Sequence, residues 1–398
     1  MSAGSDIYTI GRTLVVLTME FRGYQTTYLN VLPAQDTVPV FQRYDSFYRL
    51  VAKACAPNRD DRFVSADELR SQMIGVLREV VALDQGSGAA TTTVSSLLFD
   101  VPTPGTEPDD WRNLPSLRRD PHDAMVGWLQ TVNGSPSERL ERLMSPPKPS
   151  TEVLLERART ALDAGKRDIA EATASELLQA DPWEWRAVWI QGLAALERGD
   201  ARSAQAAFNA VYGQVPGELA PKLALAHACE RAGDDAVAEN LYIACARTDA
   251  TYVPIAAFGL ARIRAARKDV DGAVAAYRLV PAQSSAFRTA RAGLAELLTR
   301  ANRGLPDLAE AMRTLEDTSL SVRRKAEVMT LIYREALATV ETSGNKADVR
   351  IGEHKATPTS LRVGLEESLR ELAKRTPDLG ERVSLVDEAN AIRPWSLW

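Results

Sequence analysis

The residues able to carry thiol or metal chemistry are few and widely separated along the chain. The three cysteines and three histidines lie at Cys55, Cys229, Cys245, His122, His227 and His354. No two cysteines form a C-x-x-C motif, and no histidines stand at a spacing typical of zinc ligands. The pattern therefore predicts no metal site and argues against a disulfide framework, which favours a reducing, cytoplasmic compartment.

The composition is that of an ordinary globular protein. The 398 residues are 45% hydrophobic and 25% charged, which excludes a mainly disordered chain and allows two or three domains. The net charge is −5 with both signs mixed, so no basic stripe predicts binding to nucleic acid. The apolar stretch 7–19 is too short to span a bilayer, and we expect neither an integral membrane segment nor a signal peptide.

A repeated pattern begins after Ser150. Turn signals recur at Gly165, Gly199, Gly233 and Lys268, at intervals of 34, 34 and 35 residues. Five residues after each turn stands a small residue, and four residues later three of the units carry an aromatic one; these are Ala170, Ala204, Ala238 and Ala273, then Phe208, Tyr242 and Tyr277. A small alanine lets two helices of a unit approach, and the aromatic ring fills the gap to the next unit.

The four units resemble the tetratricopeptide repeat, a helix–turn–helix unit of about 34 residues. The first unit departs from the family pattern with Ala174 at the aromatic position, and the fourth replaces the turn glycine with Lys268. The resemblance implies an all-α fold, with a repeat solenoid over residues 150–285 and a helical C-terminal cap over 286–398. Within the cap, 343–359 is predicted to be a loop, and Trp395 and Trp398 are expected to pack against the helices.

The residues before the repeats form two segments of different composition. Residues 1–84 have a helical pattern, with helices predicted at 6–22, 45–54 and 65–83, the last opened by a capping box of Ser65 and Glu68. Residues 85–149 are predicted to be a Pro/Gly-rich linker. Three parts of this linker are apolar enough to dock on a folded neighbour, namely 94–101 and the surroundings of Trp111 and Trp128.

Two motifs in the first segment resemble the C-lobe of a protein kinase. D-I-Y-T-I-G at 6–11 resembles the start of its large central helix, and P-N-R-D-D-R-F at 57–63 resembles its closing segment. The resemblance implies that Asp6 would accept hydrogen bonds from a catalytic-loop backbone, and that Arg62 would pair with the glutamate of an A-P-E motif. Both partners are missing from this sequence, so residues 1–84 are expected to be a truncated C-lobe remnant with Asp6 and Arg62 as structural residues.

The resemblance to a kinase does not extend to the catalytic machinery. Phosphoryl transfer requires a Gly-rich phosphate loop, a strand lysine, an H-R-D-x-x-x-x-N loop and a D-F-G motif, and the sequence contains none of them. Positioning and charge stabilisation supply most of this catalysis, so we expect the chain alone to be inactive, with no catalytic residue and no bound cofactor. ATP and magnesium are expected only if a kinase domain lies upstream.

The order of these parts resembles the C-terminal half of the actinobacterial protein kinase G family of serine/threonine kinases. The same likeness continues at G-E-L-A-P-K-L-A-L-A (217–226), at S-L-R-V-G-L-E-E-S-L-R (360–370) and at L-V-D-E-A-N-A-I-R-P (385–394). In that family a rubredoxin-like metal domain and a kinase domain precede the repeats. The resemblance implies protein partners for the repeats, either a kinase or a forkhead-associated substrate linked to carbon and nitrogen metabolism, and it allows a homodimer.

Helical phase predicts a partner surface on the first helices of units two, three and four. Its residues are Arg186, Trp189, His227, Glu230 and Arg262. Inward-facing residues of repeat helices commonly bind extended peptides. The alternative for Trp189 is a packing role, and the alternative for His227 is a solvated position or one at the edge of the core.

Two functions remain open from the sequence. In the first, the chain is a docking or regulatory protein that binds a kinase or its substrate through the repeats. In the second, it is the tail of an active serine/threonine kinase whose catalytic parts lie upstream of a miscalled or truncated start. An in-frame A-P-E and D-F-G upstream of Met1 would establish the second.

Overall fold

The computed structural model describes residues 3–86, 88–104, 110–301, 303–343 and 346–394. Trp395 and Trp398, which were expected to pack against the cap, lie outside these residues. The chain forms two compact units, unit 1 from Met1 to Gly259 and unit 2 from Leu260 to Trp398. The division falls inside the segment predicted as repeats.

The described residues form nineteen α-helices and one hairpin. Before the repeats come α1 (Ala3–Thr18), α2 (Pro39–Arg43), α3 (Asp45–Ala54), α4 (Ala66–Gln85), α5 (Val126–Leu129) and α6 (Pro136–Leu143). The repeat helices are α7 (Thr151–Asp163), α8 (Arg167–Ala180), α9 (Trp185–Arg198), α10 (Ala201–Gln214), α11 (Leu219–Ala232), α12 (Asp235–Thr248), α13 (Val253–Ala266) and α14 (Val270–Arg278). Then follow α15 (Phe287–Ala301), α16 (Leu305–Glu316), α17 (Val322–Ser343), β1 (Lys346–Ile351), β2 (His354–Ala356), α18 (Pro358–Arg375) and α19 (Leu379–Ile392).

The predicted helices of the first segment are present and share a core. Side chains from α1, α3 and α4 meet in a cluster that includes Ile7, Leu50 and Leu69. At the start of α4, Ser65 Oγ accepts a hydrogen bond from the Glu68 N–H at 3.1 Å. The Glu68 carboxylate accepts from the Val64 N–H at 2.7 Å, one residue before the position that a standard capping box uses.

The first segment packs directly on the repeats within unit 1. Ser46 Oγ on α3 lies 2.8 Å from the Tyr212 hydroxyl on α10, and both side chains are buried. Gly75 on α4 and Gly217 before α11 touch through their backbones, because a Cβ on Gly75 would stand 2.2 Å from the Gly217 carbonyl oxygen. The first segment and the repeats of this unit are therefore one packed body.

The repeats turn through residues in the left-handed backbone region. The φ angles are +67° at Gly165, +80° at Gly199, +83° at Gly233 and +62° at Lys268. The alanines predicted to let the helices approach are wholly buried; these are Ala170, Ala204, Ala238 and Ala273. The periodic spacing thus locates all four turns, including the fourth, where Lys268 and not a glycine has the positive φ.

Parts of the Pro/Gly-rich segment pack on the repeats. Phe99 is 1% exposed and Trp111 is 6% exposed, which confirms the prediction that these neighbourhoods dock. A bridge between Phe99 and Leu117 closes a loop that is stabilised by backbone hydrogen bonds. Further along, Met125 and Leu129 join a small core with Val153 of α7.

Unit 2 has a core of its own, built from α14 to α19 and the hairpin. Helical periodicity predicts the five cap helices at 286–301, 306–316, 319–342, 360–375 and 378–392. The observed helices begin and end within three residues of these bounds. The structure differs from the predicted loop at 343–359, because β1 and β2 pair there as an antiparallel hairpin. Gly352, at φ +59°, and Glu353 form its two-residue turn, and Ile351 and Ala356 are wholly buried. Such short strands give too few alternating residues to be recognised in sequence.

Candidate protein-binding groove

Residues 89–104 are named the strap below. The strap first contacts the end of α12 and then reaches α9, so it meets the repeats in the reverse of their sequence order. The Ala90 N–H donates to the Ala246 carbonyl at 2.8 Å, and the Thr92 carbonyl accepts from the Ala250 N–H at 2.9 Å. Both contacts lie at the end of α12. Main-chain hydrogen bonds of this kind hold extended peptides on protein surfaces.

A buried carboxylate fixes the next part of the strap. The Val94 N–H donates to Asp249 Oδ2 at 2.9 Å, and Arg78 of α4 lies 3.1 Å from the same oxygen. Burial alone would raise the pKa of the Asp249 carboxyl. Hydrogen bonds from the Val94 N–H and from Thr251 outweigh that penalty and hold its pKa below the ordinary value. The strap and α4 therefore both contact the Asp249 carboxylate of the repeats.

Phe99 anchors the strap on α9. Its ring centroid lies 5.6 Å from that of Trp185 and 4.9 Å from that of Trp189, the latter in an edge-to-face arrangement. Trp189 packs in turn edge-on against Phe208 of α10 at 5.1 Å. Edge-to-face aromatic pairs add attraction beyond the area they bury. Trp185 and Trp189, named the aromatic slot below, thus accept one ring from an extended segment.

A pocket of about 630 Å³, named the strap pocket below, lies between the strap, α6, α7 and α9. Its charged lining residues are Arg118, Arg119, Arg139, Arg159, Asp100, Glu152, Glu156 and Asp163. Most of these charges are already paired, since Glu156 lies 3.0 Å from Arg119 and 2.5 Å from Arg139. Arginine guanidinium groups suit recognition of carboxylate and carbonyl oxygens.

Two donors among the pocket-lining side chains are buried without an acceptor. They are Arg159 Nη1 and Trp189 Nε1, and neither has a hydrogen-bond partner in the described part of the chain. Burial lowers the pKa of the Arg159 guanidinium, which lies 5.3 Å from the Trp111 ring centroid. An unmet buried donor costs about 1–3 kcal/mol. The site therefore favours an occupant that brings oxygen acceptors.

Two of the predicted partner residues lie in this region with partners from their own chain. Arg186 donates to Glu184 Oε1 at 2.8 Å and to Glu152 Oε1 at 2.5 Å, which joins α7 to α9. Although burial would lower the pKa of Arg186, the Glu184 and Glu152 carboxylates raise it. Trp189 is wholly buried, as the packing alternative proposed for it requires.

The other predicted partner residues lie elsewhere. His227 is 4% exposed and accepts a hydrogen bond from Arg231 Nε at 3.0 Å, while Glu230 Oε2 accepts from the Tyr242 hydroxyl at 2.8 Å. Arg262 is half-buried and belongs to unit 2. A partner role for these residues stays a prediction.

The two kinase-like residues have different surroundings. Arg62 donates to the carbonyls of Ala56 at 2.7 Å, Gly4 at 2.9 Å and Pro57 at 3.1 Å, and its guanidinium lies over the Tyr8 ring. It thereby ties the start of α1 to the segment before α4. Asp6 is exposed on α1.

The aromatic slot and the strap pocket together are named the groove below. Phe99 and Arg159 contact or line this groove but were absent from the predicted partner surface. Phe99 is the one aromatic residue in the apolar stretch 94–101, and that stretch was the available signal. Arg159 shares one face of α7 with Glu152 and Glu156, a spacing of three and four residues that marks a helix face. Neither signal reveals which surface the segment meets.

The described residues contain no cluster of three or more side chains suited to hold a metal ion. In the same part of the chain, no helix combines the length and apolar character needed to cross a bilayer.

Comparison with known proteins gives one family. The profile described as protein kinase G tetratricopeptide repeat matches residues 101–396. The chain is 35% identical over 432 residues to the serine/threonine-protein kinase PknG of Mycobacterium leprae, covering 99% of this chain and 56% of that protein. The PknG of Mycolicibacterium smegmatis is 34% identical over 436 residues, with the same 99% and 56% coverage. The chain thus spans about half the length of the curated relatives it matches.

A tetratricopeptide-repeat protein from Parabacteroides merdae is a structural neighbour. Its TM-score is 0.41 at 13% sequence identity, and the match covers 64% of this chain and 92% of that one.

Proposed function

The chain belongs to the protein kinase G tetratricopeptide-repeat family, and from that premise we propose that its repeats dock protein partners for a serine/threonine kinase of this type. The observation that carries the proposal is the strap seated on α9 and α12. A surface that accepts an extended segment of its own chain has the hydrogen-bonding groups and the aromatic slot that an extended partner segment needs.

The family and the arginine-lined strap pocket support a protein partner that presents an extended segment. A forkhead-associated substrate, which the resemblance links to carbon and nitrogen metabolism, or the kinase itself would present such a segment. The arginines of the strap pocket suit a partner whose segment carries oxygen acceptors beside its aromatic residue.

Isothermal titration calorimetry of the purified chain with a forkhead-associated protein from the same organism tests the proposal. We expect saturable binding that weakens in Arg119→Ala, whose side chain lines the strap pocket. Arg22→Ala is the matched control, because Arg22 is 85% exposed and pairs only locally with Glu20. Failure of every forkhead-associated and kinase partner to bind the folded chain would contradict the proposal.

The same proposal predicts that the chain alone neither binds ATP nor transfers phosphate. The sequence offers no lysine, aspartate or asparagine in a kinase motif that could position ATP and magnesium. Titration of the purified chain with ATP and magnesium should give no binding signal, and turnover of ATP abolished by substitutions within this chain would contradict it.

A second candidate function is that of a tail joined to an active kinase domain. It is favoured by the apolar surface of α1, where Ile10 is 39%, Val16 46% and Leu17 77% exposed. Apolar helix faces of this kind usually meet another protein surface. An upstream reading frame that encodes A-P-E and D-F-G in order would support this function, and an upstream stop codon in every frame would exclude it.

A further inference from the structure

Phe99 is the largest buried side chain of the strap. Pro102 is also buried and Leu98 is half-buried. The other large apolar side chains of the strap are exposed, with Val94 at 55%, Leu97 at 77% and Val101 at 51%. Loss of the Phe99 ring from the aromatic slot would therefore remove the largest single apolar contact of the strap.

The Thr93 and Ser96 side chains of the strap form hydrogen bonds with Asp249 and Glu218. Three further contacts of the strap are independent of its sequence. The Ala90 N–H, the Thr92 carbonyl and the Val94 N–H are main-chain groups, and any extended peptide carries their equivalents. In peptide recognition of this type, main-chain hydrogen bonds supply affinity and side-chain pockets supply specificity. Specificity here rests with the aromatic slot and the strap pocket.

The strap is an imperfect occupant of this groove. With Phe99 in place, Trp189 Nε1 is wholly buried and has no acceptor among the described residues, and the same holds for Arg159 Nη1. Asp100, which follows Phe99 and lines the strap pocket, pairs instead with Arg118 of the strap's own loop at 3.0 Å. A ligand whose oxygens reach these donors would bind better than the strap.

We propose that the strap is an internal competitor, and that partners displace it with an extended segment in which an aromatic residue is followed by an acidic one. The aromatic ring replaces Phe99 in the aromatic slot, and the carboxylate enters the strap pocket among Arg119, Arg139 and Arg159. This inference rests on the proposed docking function, and it adds the chemistry of the partner and the control of its access.

A labelled peptide with the sequence of residues 93–102, T-V-S-S-L-L-F-D-V-P, tests the competition by fluorescence anisotropy with the full chain. Phe99→Ala empties the slot, so this variant should bind the peptide at least about tenfold more tightly than the wild type, in which the strap occupies the site. The same peptide with alanine in place of its phenylalanine should not bind, and one with asparagine in place of its aspartate should bind several-fold more weakly.

A second variant, which weakens strap binding at another position, keeps the test valid if Phe99→Ala misfolds. Val94→Pro removes the N–H that donates to Asp249 and leaves the aromatic slot untouched, so it should also increase peptide affinity. Leu97→Ala is the matched control, because this apolar strap residue is 77% exposed and should leave affinity as in the wild type. Equal peptide affinity for the wild type, Phe99→Ala and Val94→Pro, or no binding to variants with full helical circular dichroism, would overturn the proposal.

Measured binding of a partner protein to the wild type and to Phe99→Ala distinguishes failure of this inference from failure of the proposed function. Partner binding that is equal in the wild type and in Phe99→Ala leaves the docking function standing and overturns the competition. Peptide binding that increases in both variants, together with no partner binding to any form, supports the competition at the groove and contradicts the docking function.

Discussion

The ammonium of Lys222 on α11 donates a hydrogen bond to the carboxylate of Glu79 on α4, and the lysine side chain is wholly buried. The same ammonium donates to the Pro216 carbonyl at 2.8 Å and lies 5.1 Å from the Tyr212 ring centroid. Ser46 of α3 donates to the other oxygen of Glu79. One buried ion pair thus joins α4 of the first segment to the third repeat.

Removal of the lysine charge should destabilise the whole of unit 1. In Lys222→Met the Glu79 carboxylate stays buried without its cation, a change that typically costs about 3–5 kcal/mol. Urea unfolding followed by circular dichroism measures the loss. The double variant Lys222→Met with Glu79→Met should regain much of it, because it removes both buried charges.

Lys374→Met serves as the control for this pair, since Lys374 is 69% exposed beside Glu371 and should matter little. A Lys222→Met protein as stable as this control would show that the buried pair does not bind α4 to the repeats.

The contact between Gly75 and Gly217 should tolerate no side chain. Alanine normally stabilises the middle of a helix, yet in Gly75→Ala the new Cβ would meet the Gly217 carbonyl oxygen. We expect a loss of about 1–3 kcal/mol in the free energy of unfolding, as for overpacking in a core. Gly213→Ala in α10 is the control, because no atom lies within 4 Å of its Cβ, and it should gain up to about 1 kcal/mol. Equal thermal shifts for the two variants would refute the close contact.

The fourth repeat turn should become more stable with glycine. Lys268 is exposed and has φ +62°, a region that costs an L-residue about 1–2 kcal/mol. Lys268→Gly should therefore raise the free energy of unfolding by about 1 kcal/mol. The reciprocal change Gly233→Ala, at φ +83° and with nothing within 4 Å of its Cβ, should lower it by a similar amount. Calorimetry of both variants would contradict this reasoning if their melting temperatures moved in the same direction.

Strap docking should weaken in acid. Because the pKa of Asp249 is held below its ordinary value, its stabilising contribution is present above the unfolded pKa, near about 4, and is lost as the pH falls through the folded value. The wild type should therefore lose more stability between about pH 5 and 3 than Asp249→Asn, which carries no such charge. Asp84→Asn, an exposed carboxylate paired with Arg43, should keep the wild-type pH dependence. Parallel stability curves for the wild type and Asp249→Asn would rule out this linkage.

The repeats could be predicted from sequence because their determinants are local and periodic. The turn at Lys268 was located by spacing alone, and the alanine five residues later, Ala273, is wholly buried. The cap helices were predicted for the same reason, since helical periodicity and caps are read within one segment. The hairpin at Gly352 was missed because its strands are too short to show a period.

The contacts around the aromatic slot could be predicted only in part. Helical phase assigned Trp189 to the predicted partner surface with packing as the alternative, and the apolar stretch 94–101 predicted a docking segment. The sequence could not join the two, because contacts between Phe99 and Trp189 link residues ninety positions apart and have no periodic signature. The pair of Lys222 and Glu79 was not predicted for the same reason, because a single lysine in an apolar helix does not indicate which distant residue it contacts.

The path of the strap also limits how this repeat array can change in evolution. Tandem arrays commonly gain or lose whole units, because each unit contacts only its neighbours. Here the strap contacts Ala246 at the end of α12 through Ala90 and places Phe99 beside Trp189 of α9. Duplication of a unit between α9 and α12 would move these two contact sites apart. Within this stretch, the number of repeats and the length of the preceding segment must therefore change together.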